Sequence, residues 1–592
     1  MTAFDQEPPG EIRMPENELP KYQPDMFAAP EKECDVVMKG GITSGVVYPY
    51  AVLELARRYR FRSIGGTSAG AIAAAFAAAA EYSRTVRNDP DGFTRLQAHC
   101  DTIPTILDRL FQPQRRFRPL MRYLLWAQAG GWPGKVLGLL LAFPLAAIAG
   151  IVIGAGALWV LGGGWAGSVL GGLVGMLAGI LGQILWLVFY RLPRDGFGFC
   201  SGLTVSDAEV PGLTEWLHAS IQDIAFGSDA ATAPPLTFGD LIGAEPEKPV
   251  INLKMVTTNL SMRRPHTLPT TSLMVAYDPT EWSQLFPAAV MNWLKQIATP
   301  GGPFPELKAF PEPAQLPVII ATRMSLSFPV LFKAIPAYTN DRGTLDIVQR
   351  LGGKARPVMK AKIWFSDGGI SSNFPIHLFD ALLPSRPTFA LSLDELPKSI
   401  ASSGKRVTIP QAAGEGIGVP VHKMEKMSGF LGSILSSAKD WQDQSLATMP
   451  GQRERIARVF LNEEEGGLNL TMPPERSAKL MSYGLEVGSL FANGALDFDE
   501  HRWRRTLVAY DRLEDTVFAT ERLWNEGKYQ DWLTGYIDEI KSYEAVTKGD
   551  REKLIARIAA FAALSQSFSP AIVNKRKKFP NPAGRLRIGP DI

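Results

Sequence analysis

The chain has 592 residues, 46% of them hydrophobic and 20% charged, so it exceeds one ordinary domain and can bury at least one large core. Its 62 Lys and Arg against 59 Asp and Glu leave a net charge of only +3, which argues against a global nucleic-acid footprint. Three scattered cysteines, Cys34, Cys100 and Cys200, suggest neither a disulfide framework nor a zinc site and fit a reducing, cytoplasmic compartment.

Residues 1–33 are rich in Pro, Glu and Asp, lack the pattern of a secretory signal and read as an irregular leader. Cys34 to Lys39, CDVVMK, reads as a buried strand that runs into the glycine turn Gly40-Gly41-Ile42-Thr43-Ser44-Gly45. A helix follows over VVYPYAVLELARRY, with Pro49 near its start. Next come a second strand, the motif Gly66-Thr67-Ser68-Ala69-Gly70 and an alanine-rich helix to Tyr82. Glycines two residues either side of Ser68 suit a strained strand-to-helix apex that presents Ser68 Oγ as a nucleophile. The alanines let that helix lie close on a sheet, and its N-terminus favours a developing oxyanion. Strand, turn, helix, strand, elbow, helix predicts an α/β fold with a parallel or mixed central sheet covered by helices. In such sheets sites lie at the C-terminal strand ends, where the glycine turn and Ser68 would face each other. Backbone N–H groups of Gly40, Gly41, Ile42 and Ala69 are then the expected oxyanion donors. A nucleotide phosphate loop or a plain tight turn are the alternative readings of the glycines, without a full G-x-G-x-x-G or Lys-Ser/Thr ending to support the first.

Residues 83–135 are mixed and partly helical, with Arg115, Arg116, Arg118, Arg122 and Lys135 clustered near their end. From Val136 to Tyr190 there is no Asp, Glu, Lys or Arg. About 20 apolar residues cross roughly 30 Å of hydrocarbon, so this stretch predicts a transmembrane hairpin with spans at 137–160 and 167–189 and a turn at Gly162 to Trp165. Arg191 and Arg194 make both ends basic, which places them and the catalytic part in the cytoplasm. Gly163, Gly167, Gly171, Gly175 and Gly179 form a small-residue face for close approach of the two spans, or of two protomers in a homo-oligomer. The alternative is a hydrophobic hairpin buried inside a soluble protein.

A polar return loop with short helices is expected over 191–248, a strand over 250–256, and a helix bearing Arg323, Ser325 and Ser327 that breaks at Pro329. In Lys362 to Ile376 a strand ends at Asp367, and Gly368 and Gly369 make the turn. A carboxylate there can take a proton from a serine across adjacent strand ends. One more strand is expected at 388–393, a Gly/Pro-rich break near 400–420, a hairpin or a strand and turn at 453–470, and helices from about Pro474. Lys575, Arg576, Lys577, Lys578, Arg585 and Arg587 form a basic tail, suited either to anionic headgroups or to solvent.

Four segments, CDVVMKGGITSGVVYP, GGTSAGAIAA, ATRMSLSFPVLF and SDGGISSNFPI, together resemble the patatin-like phospholipases, in that family's order and over about Cys34 to Leu393. The resemblance implies a patatin-like fold and a Ser-Asp dyad without histidine, with Ser68 as nucleophile and Asp367 as general base. It also implies an oxyanion hole at Gly40-Gly41 and hydrolysis of fatty-acyl esters of phospholipids or lysophospholipids through an acyl-enzyme, with no cofactor or metal. Two departures stand out. The glycine turn lacks the family's basic residue before its last glycine, and the hairpin interrupts the domain. Six histidines, at 99, 218, 266, 377, 422 and 501, supply no recognisable Ser-His-Asp setting, and His377 is expected to start or cap a helix.

The predicted organisation is a leader at 1–33, the first part of the catalytic domain at 34–135, the hairpin at 136–190, its second part at 191–400, and a mainly helical extension with a basic tail at 401–592. Membrane lipids are the expected substrate and surroundings, and no nucleic-acid partner is expected. A transacylase on the same scaffold and a non-catalytic membrane scaffold are the rival functions.

Overall fold

The computed structural model describes residues 19–41, 43–129, 132–270, 273–354, 359–397, 404–412, 415–416, 418, 421, 427–462, 464–467, 469–470, 472–536 and 547–568. Ile42, His422 and the basic tail lie outside the described residues, as does most of the leader.

The strands are β1 Lys32–Met38, β2 Tyr59–Gly66, β3 Gly198–Cys200, β4 Asn252–Asn259, β5 Arg264–Leu268, β6 Ala276–Tyr277 and β7 Pro300–Gly301. They continue with β8 Phe304–Ala309, β9 Val330–Phe332, β10 Ile335–Asn340, β11 Lys360–Asp367, β12 Thr388–Glu395, β13 Val407–Thr408 and β14 Ile456–Leu461. One mixed sheet holds all but β3 and β9, in the order β13-β14-β12-β1-β2-β4-β11-β10-β6-β8-β7 with β5 beside β4. Its centre, β14-β12-β1-β2-β4, is parallel, and from β11 onward the strands alternate in direction. Residues Cys34 to Met38 are buried on both faces of β1, which is why this strand reads as an unbroken apolar run.

Helix α1 Tyr48–Ala56 joins β1 to β2, and α2 Ala69–Thr85, α3 Asp91–Leu110 and α4 Arg118–Ala129 follow β2. Ala71, Ala74, Ala75 and Ala77 to Ala80 on α2 are almost completely buried, because a side chain this small lets the helix settle between the sheet and its neighbours. Among those neighbours is the helix Leu213–Phe226, so the supposed return loop supplies part of the core.

Both outer domain boundaries move. Tyr22 and Phe27 are buried against the core, so the described end of the leader belongs to the folded unit. Strand β14 pairs in parallel with β12, from Ala390 opposite Ile456 to Glu395 opposite Leu461, so the sheet is completed well beyond residue 400. Helix Pro474–Ala492 packs directly on α1, where a Cβ on Gly484 would collide with the Val47 carbonyl. Sequence order hides this because the pairing spans a long excursion, and short apolar strands carry no label of their partner.

The apolar segment forms α5 Trp132–Ala142, α6 Pro144–Val160 and α7 Gly164–Trp186, and the last continues through a π-turn at Leu187–Arg191 to Arg194. The turn falls where the glycines predicted it, but the expected span at 137–160 is two helices bent by 85°. Pro144 is the reason: its ring disfavours helical backbone at the residue before, and Phe143 is held at φ −125° and ψ 51°. Leu145 and Val160 are 80% and 84% exposed, so this hairpin stands outside the core and is not a buried one. The glycine face is used within the hairpin. Cβ atoms on Gly171 and Gly175 would strike the carbonyls of Gly154 and Gly150, and one on Gly179 would lie 2.5 Å from the Ala146 carbonyl.

Candidate active site

β2 ends at Gly66 and α2 begins at Ala69, which leaves Thr67 and Ser68 to reverse the chain. Ser68 adopts φ 55° and ψ −125°, a conformation costing on the order of 1–3 kcal/mol that only a tightly packed surround maintains. The flanking glycines are that surround. A Cβ on Gly66 would run into the Gly70 carbonyl, and one on Gly70 into the Met38 carbonyl. Gly70→Ala is therefore expected to lower stability by about 1–3 kcal/mol and to disorder the elbow. Thermal unfolding in detergent micelles, with wild type alongside, measures the loss.

Asp367 reaches the elbow from the opposite direction. Gly66 pairs with Met255 of β4, and Asp367 pairs with Thr257, two residues further along the same strand. Antiparallel β11 therefore descends to the level at which parallel β2 stops. The expected adjacency of their ends is corrected here, since β4 lies between them. Ser68 Oγ donates to Asp367 Oδ2 at 2.7 Å, and Gly369 N–H donates to Oδ1 at 2.7 Å. Gly368 must lack a side chain, because a Cβ would collide with the Val256 carbonyl and Thr67 Oγ1. Burial pushes the Asp367 carboxyl up to about 6, against the opposing pull of the Ser68 and Gly369 hydrogen bonds and the charge of Lys439.

Segment Ala321 to Phe332 ties the two residues together. Ser325 Oγ accepts from Ser68 N–H at 3.1 Å and donates to the Val256 carbonyl at 2.6 Å. The Ser327 carbonyl accepts from Asp367 N–H at 3.0 Å, and Arg323 holds Ser327 Oγ at 2.6 Å. The helix here ends at Ser325, short of the predicted Ser327.

The oxyanion donors are arranged differently from expectation. Gly40 N–H donates to the Asn373 carbonyl at 2.7 Å, and Ala69 N–H donates to the Gly41 carbonyl at 3.2 Å. That carbonyl also lies 3.4 Å from Ser68 Oγ, so Gly41 turns its oxygen toward the elbow. Glycine permits either peptide orientation, which is why the motif alone could not choose between them. Lys39, just before the turn, is drawn aside to Asp394 at 2.6 Å, and Arg458 joins the same carboxylate at 2.9 Å.

Two pockets meet at Ser68. One, of about 770 Å³, is walled by apolar side chains including Ile72, Phe76, Ile103, Leu107, Trp216 and Phe332. The other, of about 470 Å³, is lined by Gly41, Asp367, Asn373 and Lys439 with Phe328 and Pro329 at its edge. Ser68 thus stands between an apolar recess and a mixed opening that brings Asp367, Asn373 and Lys439 to it, an arrangement that suits an ester linking a hydrocarbon chain to a polar group.

No described histidine bonds to Ser68. His99 does sit between Ser220, at 3.2 Å from Nδ1, and Asp223, at 2.8 Å from Nε2. Ser220 lies in mid-helix and is 1% exposed, so this chain of hydrogen bonds fastens α3 to its neighbour and has no access to substrate. His377 occupies a turn rather than a helix start, and burial depresses its pKa. Sequence reasoning missed Lys439 and Asp443, both on the helix Met427–Ala447. Asp443 accepts from Phe374 N–H at 2.7 Å behind the acidic turn. Their local pattern is that of an ordinary polar helix face and carried no signal of the contact.

A family model described as patatin-like phospholipase matches residues 36–137, which include the glycine turn and the elbow. The chain is 33% identical over 645 aligned positions to the RpoH suppressor of Rhizobium meliloti strain 1021, an alignment covering 95% of this chain and 100% of that protein. Among solved structures, VipD from Legionella pneumophila is 13% identical, with a TM-score of 0.27 over 91% of this chain and 85% of its own. The ExoU-SpcU complex from the Pseudomonas aeruginosa type III secretion system is 14% identical, with a TM-score of 0.23 over 91% and 76%. The family match falls on the strand, turn, elbow and helix that build the serine's setting, and the Rhizobium relative extends the likeness along the whole fold: the chain belongs to the patatin-like phospholipase family.

Proposed function

We propose that this protein is a membrane-anchored lipid acyl hydrolase in which Ser68 is the nucleophile and Asp367 the general base. The observation that carries the reading is the 2.7 Å hydrogen bond from Ser68 to a buried carboxylate at the junction of an apolar and a polar pocket. Ser68 Oγ attacks the ester carbonyl as its proton passes to Asp367 Oδ2, and the carboxyl returns that proton to the departing alcohol. Water then attacks the acyl-enzyme, gives a proton to Asp367, and Ser68 recovers it as the fatty acid leaves. An aspartate with its pKa near 6 is a stronger base than an exposed one and is still ionised at neutral pH. Stabilising the oxyanion calls for the Gly41 peptide to turn, which would free Ala69 N–H and bring glycine-turn N–H groups toward the substrate oxygen. The apolar pocket suits the acyl chain, and phospholipids or lysophospholipids are the substrates of this reading.

The hairpin serves as the anchor. Helix α7 with its continuation has 31 residues, about 46 Å at 1.5 Å per residue and enough to cross hydrocarbon, whereas α6, at 17 residues or about 26 Å, makes a second span only together with α5, from which it is bent by 85°. At the base Arg194 lies over Tyr190 at 3.5 Å and Arg191 over Trp186 at 5.3 Å, a cation and aromatic pairing that suits the headgroup layer. Basic residues at both ends put the catalytic domain on the cytoplasmic side, with the site facing lipids of that leaflet.

The test is labelling of the detergent-solubilised full chain with a fluorophosphonate, with the modified residue located by peptide mass spectrometry, beside fatty-acid release from phospholipid vesicles. Modification at Ser68 together with release is the expected result. Failure of both would remove the hydrolase reading, and acyl transfer to an added alcohol in preference to water would turn it into a transacylase.

A further inference from the structure

The polar pocket contains a cation that the reaction as described leaves unused. Of the ten described residues that line it, Lys439 is the one base and Asp367 the one acid. Lys439 comes from the helix Met427–Ala447, distant in sequence from the glycine turn, the elbow and the acidic turn.

That helix is fastened to the site. Asp443, 5% exposed, accepts from Phe374 N–H at 2.7 Å and lies 3.4 Å from Ser372 Oγ, immediately after the Asp367 turn. Residues four apart share one helix face, so the contact that anchors Asp443 brings Lys439 over the pocket. Among the described residues no carboxylate is in salt-bridge contact with Lys439, although its charge reaches Asp367 across the pocket, and Asp443 is engaged by the backbone of the acidic turn. The other lysine near the turn, Lys39, is neutralised by Asp394 at 2.6 Å, so it is not free for a ligand. An ammonium without a salt-bridge partner in a mixed recess beside the nucleophile, opposite an apolar recess fit for an acyl chain, is a receptor for an anion on the alcohol side of the ester.

We infer that the helix Met427–Ala447 is part of the active site, and that Lys439 determines specificity by holding the phosphate of the substrate's headgroup while the acyl chain lies in the apolar pocket. The inference rests on the hydrolase reading above. It gives the C-terminal segment a share in substrate choice, and it supplies from a distant helix the positive charge that the glycine turn lacks.

The experiment compares 1-palmitoyl-lysophosphatidylglycerol with 1-monopalmitoylglycerol, each in neutral detergent micelles at fixed mole fraction. The full chain is assayed as wild type, Lys439→Gln and Lys439→Arg. The expected result is a preference of wild type for the phosphate-bearing ester that falls by about tenfold or more in Lys439→Gln, mainly through KM, and is largely kept in Lys439→Arg. Equal losses on both esters would mean that Lys439 acts only through Asp367 or the packing of its helix, and no loss on either would mean that it touches no substrate. Each of these overturns the inference while leaving the hydrolase standing. Hydrolysis of neither ester by wild type, with Ser68 unlabelled, would overturn the hydrolase reading and this inference with it.

Discussion

Asp367→Asn is expected to lower fatty-acid release by about 10³-fold to 10⁴-fold and to leave the protein at least as stable as wild type. The asparagine can keep the geometry. Its carbonyl oxygen can accept from Gly369 N–H as Oδ1 does now, and its amide can donate to Ser68 Oγ, whose proton can turn toward the Gly41 carbonyl. What is lost is the base. The stability argument follows from the raised pKa. Held at about 6 in the fold against an ordinary 3.8, the carboxyl favours the protonated folded protein. That contribution is present in full below about pH 4 and is lost as pH rises through about 6. At pH 7 the buried carboxylate therefore disfavours folding by up to about 3 kcal/mol, which the neutral asparagine removes. Melting temperature and activity measured on the same preparation should move in opposite directions. For wild type, kcat/KM should rise with pH along a single-proton limb near pH 6 that reports the free enzyme's base. Ser68→Ala should be inactive without the gain in stability, since it leaves Asp367 buried and short of one hydrogen bond. An Asp367→Asn protein that retained a tenth of the activity would remove the carboxylate from the mechanism.

Excision of the hairpin should release the protein from membranes while sparing its chemistry. Joining Ala147 to Ile180 through a short Gly-Ser turn removes residues 148–179, and the junction is feasible because the helices touch there, with the Gly179 Cβ position 2.5 Å from the Ala146 carbonyl. The cut retains Phe143, Ile180 and Leu187, which are buried at the base. It removes exposed apolar side chains such as Ile153, Val160, Trp165 and Leu177. At about 2 kcal/mol per apolar side chain transferred from water, even a few of these outweigh any peripheral attraction. The shortened protein should appear in the soluble fraction, hydrolyse a soluble short-chain ester within about twofold of wild type, and lose about a hundredfold or more of its rate on vesicles at equal protein concentration. Continued sedimentation with vesicles would locate the anchor elsewhere, and lost activity on the soluble ester would make the hairpin part of the catalytic fold.

The parts of the site legible in the sequence are those that a few consecutive residues dictate. An apolar run makes a central strand, glycines at minus two and plus two make an elbow around Ser68, and Asp-Gly-Gly makes a turn at a strand end. A proline inside an apolar stretch also speaks locally. Pro144 carried the information that the first span would break, although length and hydropathy alone made it look continuous. The direction of the Gly41 peptide was not legible, because glycine has no side chain to bias it and the deciding bonds come from Ala69 and Ser68.

By itself the amino-acid sequence determined the α/β class, the elbow with its serine, the acidic turn and an apolar hairpin turning at its glycines, since each is carried by the type and period of consecutive residues. Only the tertiary structure decided that β11 descends past β4 to bring Asp367 within 2.7 Å of Ser68, that β14 returns to complete the sheet, and that Asp443 docks a distant helix bearing Lys439. These are pairings between segments up to several hundred residues apart. They depend on which buried surfaces and backbone groups find one another in the folded chain, and no local pattern encodes that choice.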